Sequence, residues 1–398
     1  MKRRQFIQAV TASTLLSQVA RSQTLPDDLR ITRIVSFDLH TRRQKYVGKN
    51  AARGDHGWGY KDRMARLYTN VGVEALGRCW WHDDDIKSVL GTNPFADFDP
   101  DSRRIVSPLG PRTMVLWDLA GKLLQKPVYQ LLGNEEGGSI PVYDGSIYFS
   151  DLFEEHAENW QDRFREEIDM GLEMGHRGFK VKVGRGNKWM DRQEGDARDV
   201  EVLKVIREHG GDDILIGVDA NNGYDLQGAK QFVERAVGLD IAFVEEMFPE
   251  EIDECLELKQ HIADLGPTTL LADGEGQDDL EHYRPFVDAK AIDVLQGDMN
   301  GFGVEGIMAE AAMAEPQGIL VAPHNWSSMV ALFLQTHVGL AIPNFYSAEH
   351  DPTTSDVLIA DGYKIEDGRS HAPDSPGFGL AIDEDKFDQV TINFDVDE

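Results

Sequence analysis

Between Ile140 and Glu349 the sequence keeps a steady beat: a short apolar run, then a longer segment rich in Glu, Lys and Ala, until eight runs have passed. The runs are VYDGSIYF, FKVKVG, DILIGVD, IAFVEE, TTLLADG, AIDVLQGD, GILVAPH and AIPNFYSAE. Short apolar runs bounded by turn residues suit strands buried on both faces. Strands joined by helical segments run parallel, because each connection must cross back over the sheet. Eight strands linked this way can close on themselves. The expected fold is therefore α/β, a (β/α)8-type barrel over residues 139–350.

A barrel gathers residues that are distant in the chain, because the carboxyl ends of its strands face one mouth. Three of the runs lead into an acid at that end: Asp219 in IGVDANNG, Glu245 in FVEEMFPE and Glu275 in LADGEG. Converging carboxylates repel one another unless a cation lies between them. No histidine or thiolate accompanies the three, and an all-oxygen ligand set points to Mg2+ rather than zinc. Any one of these acids alone could instead cap the following helix. Three in register is what argues for the ion. Lys180 and Lys182, one strand earlier, lie two apart and point to one face, as do Asp219 and Asn221. In IAFVEE, Glu245 is in phase with Phe243 and Glu246 is not; Asp273 and Glu275 are in phase with each other, so period does not choose between them.

At 398 residues the chain exceeds the roughly 250 of a typical barrel, so a second domain is expected. Residues 25–138 mix extended runs such as Ile31 to Leu39 with helical pattern and end in PRTMVLWDLAGKLLQKPVYQLLG, where Gly133 stops a helix-spaced apolar series. They are read as an α+β capping domain. Residues 351–398 are rich in Gly, Pro and Asp, and their one late run, VTINFDV, is expected to return to that domain. A formal charge of −30 argues against nucleic acid or an anionic membrane as partner. Cys79 and Cys255 are too few and too far apart for a disulfide framework. Residues 1–24 open with Arg3-Arg4, pass through a modestly apolar stretch and reach Ala20-Arg-Ser22, a small-x-small cleavage pattern. This reads as a twin-arginine export leader and predicts a periplasmic protein, cytoplasmic if the leader does not function.

On successive strands stand Lys-x-Lys (Lys180, Lys182), Asp-x-Asn (Asp219, Asn221), Glu245, Gly-Glu (Gly274, Glu275), Asp298 and His324. That ordered set resembles the enolase superfamily, in its mandelate racemase/muconate lactonizing enzyme-like subgroup with sugar-acid dehydratases. LWDLAGKLLQKPVYQLLG is similar to the helical part of that family's capping domain, so the likeness spans nearly all of the chain after the leader. The resemblance implies that Asp219, Glu245 and Glu275 bind Mg2+, Glu275 being favoured over Asp273 because the family places its third ligand directly after a glycine. It implies Lys182 as one general base with Lys180 beside it, and Asp298 paired with His324 as a second acid/base on the opposite face of the substrate. Glu349 would hydrogen-bond the substrate carboxylate and Asn221 would line the site. Arg53 and His56, in ARGDHGWGY, would meet substrate from a capping loop. The family also implies a homo-oligomer. Two departures stand out: the usual Glu-Glu-Pro is stretched to Glu245-Glu246-Met-Phe-Pro249, and the paired glycines are split as Gly301-Phe-Gly303.

Removing a proton next to a carboxylate creates an enediolate with two negative charges, which a divalent cation and preorganised donors stabilise. A Lys or His base beside Mg2+ is the known pairing for enolase-type sites, not a deduction from this sequence. Lys180 next to Lys182 would disfavour a second positive charge, as would the metal, and keep Lys182 able to accept a proton. With a hydroxyl on the β carbon, His324 could expel it as water to leave a 2-keto-3-deoxy sugar acid. Without that loss, Lys182 and His324 would interconvert epimers of a 2-hydroxy acid. Dehydration is the expected outcome, epimerisation and non-catalytic binding of a sugar acid being the alternatives. A zinc hydrolase on such a barrel would want His-x-His on the first strand, where VYDGSIYF has none.

Overall fold

The structure, a computed structural model, describes residues 25–79, 82–96, 105, 113–277 and 279–398. The expected export leader lies outside the described residues. Strands β1 (Ile31–Val47), β2 (Gly57–Thr69) and β3 (Glu74–Arg78) form an antiparallel sheet. Ile34, Phe37 and Leu39 of β1 and Met64 and Leu67 of β2 are among its fully buried side chains.

Helix α1 (Met114–Leu124) packs on β3 at close range: a Cβ on Gly77 would lie 2.5 Å from Val115 N, which explains the glycine. Asp118 of α1, wholly buried, accepts the N–H groups of Leu76 and Phe378, each at 2.8 Å, and pairs with Lys122 at 2.7 Å. One carboxylate therefore joins helix, sheet and C-terminal segment. Asp118→Ala strands two buried N–H donors, and an expected loss of about 2–5 kcal/mol should appear as a lower urea midpoint at unchanged m.

Beyond α1 the chain winds through β4 (Ser139–Ile147), β5 (Gly178–Lys182), β6 (Leu215–Asp219), β7 (Ile241–Glu245), β8 (Leu270–Asp273), β9 (Val294–Leu295), β10 (Leu320–Val321) and β11 (Ala348–His350). Each is parallel to the next from β4 to β10, and β11 pairs in parallel with β4. Val321 completes the ring toward β11, donating to Asn344 O at 2.9 Å and accepting Tyr346 N–H at 2.8 Å. Helices α2 (Trp160–Glu173), α3 (Arg192–Gly210), α4 (Leu226–Ala236), α5 (Ile252–Leu265), α6 (Leu280–Ala289), α7 (Met299–Ala314) and α8 (Met329–Ala341) make the crossovers.

The strands are largely apolar because both faces are buried: Tyr143, Phe243, Ala272, Val294 and Ala322 form one cluster, while Val181, Val218 and Val244 belong to the main core with the helices. Period two then puts Glu245 on the same side of β7 as Phe243. The run VTINFDV forms the last strand, β12 (Thr391–Asp397), antiparallel to β1 with Arg33 opposite Asp397. Of the two departures in sequence, Gly301-Phe-Gly303 marks a kink: Gly303 sits at φ 63° inside α7, a conformation open to glycine. No described helix is long and apolar enough to cross a membrane.

Candidate metal centre and active site

Asp219 ends β6, Glu245 ends β7 and Glu275 follows β8 by two residues. One carboxylate oxygen from each lies within 4.8 Å of the others, the one such group of three among the described residues. None of the three caps a helix. Asp225 caps α4 and Asp279 caps α6 through their side chains, and the N-cap position of α5 is held by Glu251. Asp273 stays out of the cluster because Gly274, at φ 143°, breaks the strand alternation; Asp273 accepts the Gly274 N–H at 2.7 Å instead.

Two lysines enter from β5. Lys180, fully buried, reaches Glu245 at 2.6 Å, Glu349 at 2.8 Å and Asp219 at 3.4 Å. Lys182 pairs with Asp219 Oδ2. On the other side, His324 Nδ1 meets Asp298 Oδ2 at 2.8 Å and His324 Nε2 meets Glu275 Oε2 at 3.0 Å. Asp298 also accepts the Gly301 N–H at 2.7 Å, so it both caps α7 and orients the histidine.

Asp219, Glu245, Glu275, Asp298 and Glu349 thus face Lys180, Lys182 and His324: five carboxyl groups against three cations, a formal excess of two negative charges. Burial, with Asp219, Glu349 and Glu275 nearby, pushes Glu245 up to about 8 despite Lys180. A divalent cation would cancel the excess, and three hard oxygens in one cluster are the donors Mg2+ takes. The residues fit the ion.

Lys180 by itself does not leave Lys182 neutral: burial opposes the charge, but Asp219 outweighs both and holds the Lys182 ammonium in its charged form. The same ammoniums keep Asp219 below the usual carboxylate range, again against burial. A cation seated on Asp219 would compete with Lys182 for that carboxylate and free the amine to titrate. Against burial, Glu275 and Asp298 hold His324 well above its ordinary value, so it is an imidazolium that could give a proton.

Above these groups opens a cavity of ≈ 650 Å³ lined by Lys182, Glu275, Asp298, His324 and Asn221, and from the capping sheet by Arg53 and His56. Lys180 and Glu349 are not among its lining side chains. Glu349 accepts the Asn325 N–H at 2.9 Å and fits against Gly145, where a Cβ would crowd it. Its closest partner among the charged side chains is Lys180, at 2.8 Å.

His56 Nδ1 accepts from Trp326 Nε1 at 2.9 Å, which leaves Nε2 to carry the ring proton. Burial and then Lys182 push His56 down to about 4, so it is a neutral donor. Trp326 stacks on Tyr148 with centroids 4.7 Å apart, and Arg43 lies 4.7 Å from the Trp326 ring while bonding Asp351 through both carboxylate oxygens. Tyr148, Trp326 and Glu246 line the cavity; the first two escaped the sequence reading, and the third was set aside there as out of phase. Glu246 lines it because it takes φ 43° and leaves the strand phase, its Oε2 accepting from Asn221 Nδ2 at 3.1 Å. Trp326, two residues after His324, was the one with a signal nearby. Arg43→Met should leave Asp351 buried and unpaired, with an expected loss of about 3–5 kcal/mol in chemical denaturation.

The sequence profile of the enolase C-terminal domain-like family matches residues 163–386. The arabinonate dehydratase of Saccharolobus solfataricus is 30 % identical over 277 residues, 69 % of either chain. The crystal structure of a galacturonate dehydratase from a Geobacillus species, complexed with D-galacturonate and 5-keto-4-deoxy-D-galacturonate, superposes with TM-score 0.84 at 30 % identity, covering 91 % of this chain and 96 % of that one. A mandelate racemase/muconate lactonizing protein from Geobacillus sp. Y412MC10, complexed with magnesium and tartrate, gives TM-score 0.84 at 29 % identity over 90 % of this chain and 94 % of the other. With the profile covering more than half of its length, the chain belongs to the enolase C-terminal domain-like family.

Proposed function

We propose that this protein is a Mg2+-dependent sugar-acid dehydratase that removes the proton α to a carboxylate and then expels a β-hydroxyl as water. The observation that carries this reading is the placement of Lys182 and His324 in one cavity, each in contact with a member of the Asp219, Glu245, Glu275 cluster. Mg2+ held by that cluster would act as a Lewis acid toward the substrate carboxylate. The Lys182 amine takes the α-proton, and the Lys180 ammonium below adds positive charge where negative charge develops. The His324 imidazolium, oriented by Asp298, gives its Nε2 proton to the leaving hydroxyl.

Substrate class is supported by the similar dehydratases and by the wall chemistry. Asn221, Asn222, Asn300 and His56 line the cavity, and each has a buried polar atom, Oδ1 of the asparagines and Nε2 of the histidine, without a hydrogen-bond partner among the described residues. Acceptors together with a donor suit a polyhydroxylated chain. Export through the Arg3-Arg4 leader and self-association belong to the same proposal, the first supported by the leader's pattern and the second by family habit.

The test is incubation with Mg2+ and a panel of aldonic and uronic acids in D2O, assayed for keto-deoxy acid and for α-deuterium. Keto product is expected. Epimers with no keto product would replace dehydration by epimerisation, and absence of both product and deuterium across the panel would leave a binding protein.

A further inference from the structure

Glu310 of α7 is wholly buried, and the Gly297 amide, at 3.1 Å from its Oε1, is the one hydrogen-bond partner it has among the described residues. Burial pushes this carboxyl up to about 8. An acid in an apolar helix interface weakens the fold relative to an apolar side chain of similar size, so packing does not account for it.

The group it holds does. Gly297 O accepts the His324 N–H at 3.2 Å, and His324 O accepts the Met299 N–H at 3.0 Å. These bonds extend the β9–β10 ladder past the strands, with Asp298 and His324 paired as a bridge. Asp298 follows Gly297 directly and presents Oδ2 to His324 Nδ1. Gly297 therefore fixes both the backbone from which His324 projects and the carboxylate that orients its ring. Among the described residues its own N–H is taken by no strand neighbour, only by Glu310. A Cβ at residue 297 would lie 2.1 Å from Glu310 Oε2, so an alanine there would push the carboxyl aside.

We infer that Glu310 is a positioning residue for the Asp298–His324 pair, acting through the Gly297 amide and never touching substrate. It governs the step that uses His324, water loss, and leaves the step that uses Lys182 alone. This split rests on the proposed function, so it is paired with a readout that does not.

In Glu310→Leu, with Mg2+ and a sugar acid in D2O, keto-acid formation should fall about 10- to 100-fold while α-deuterium exchange through Lys182 persists at the native rate. Glu310→Gln, which keeps an oxygen facing Gly297, should restore the native ratio of the two. Should Glu310→Leu fail to fold, Gly297→Ala attacks the same bond from the other side and should give the same split. Equal loss of both activities, no loss in either, or a Gln variant no better than Leu would overturn the inference. If the native protein shows neither exchange nor product, the functional proposal fails, and a crystal structure of the Leu or Ala variant decides this inference alone: His324 displaced from Asp298 supports it, an intact 2.8 Å contact overturns it.

Discussion

Lys182→Ala is expected to lower keto-acid formation by about 10²- to 10⁴-fold, the usual reach of a positioned acid or base, and to remove α-hydrogen exchange with it. The two losses belong together because the amine would act at the first step, before any hydroxyl leaves. In this variant Asp219 loses an ammonium that competes with the metal for it, so the site should still gather its cation. His324→Asn supplies the contrast: product formation should fall by a similar factor, but exchange driven by Lys182 should continue. Steady-state assays for product and NMR for deuterium incorporation separate the two variants. Equal exchange in wild type and Lys182→Ala would remove this lysine from the chemistry.

Chelation of divalent cations should bring the largest loss, turnover falling to background and returning when Mg2+ is added. The reason is the charge excess: five carboxylates crowd three cations at the floor of the cavity. Mg2+ should accordingly stabilise the fold as well as support turnover, by about 2.7 kcal/mol at one hundred times its dissociation constant. Glu245→Gln removes one of the excess charges and one oxygen ligand, so its Tm should respond much less to added Mg2+. A native Tm indifferent to Mg2+ would count against the site.

The barrel was legible because parallel strands buried on both faces must be continuously apolar, a pattern that survives in a single sequence. The lengths of β9 and β10 were not. Each keeps two residues, since Pro323 has no N–H to give and Gly297 gives its own to Glu310, a side chain thirteen positions away.

The carboxylates were visible because strand ends are fixed by period, but period left Asp273 and Glu275 level until the φ of Gly274 broke the tie. The pull of Asp219 on Lys182 was hidden for a related reason. Sequence spacing shows the like charge two residues away, whereas the opposing Asp219 is brought in by pairing of β5 with β6, Lys182 opposite Asp219. The His56, Trp326 and Tyr148 wall depends on the approach of capping sheet to barrel, which no local pattern encodes.

The account stands on one divalent ion shared by three carboxylates within reach of both Lys182 and His324. Crystals grown with Mn2+ in place of Mg2+ test it most directly by anomalous diffraction. A single peak bonded to Asp219, Glu245 and Glu275, on the cavity side of Lys180, is the predicted result. No peak there under saturating metal, or a peak held by Asp273 or Glu246 in place of that cluster, would contradict it.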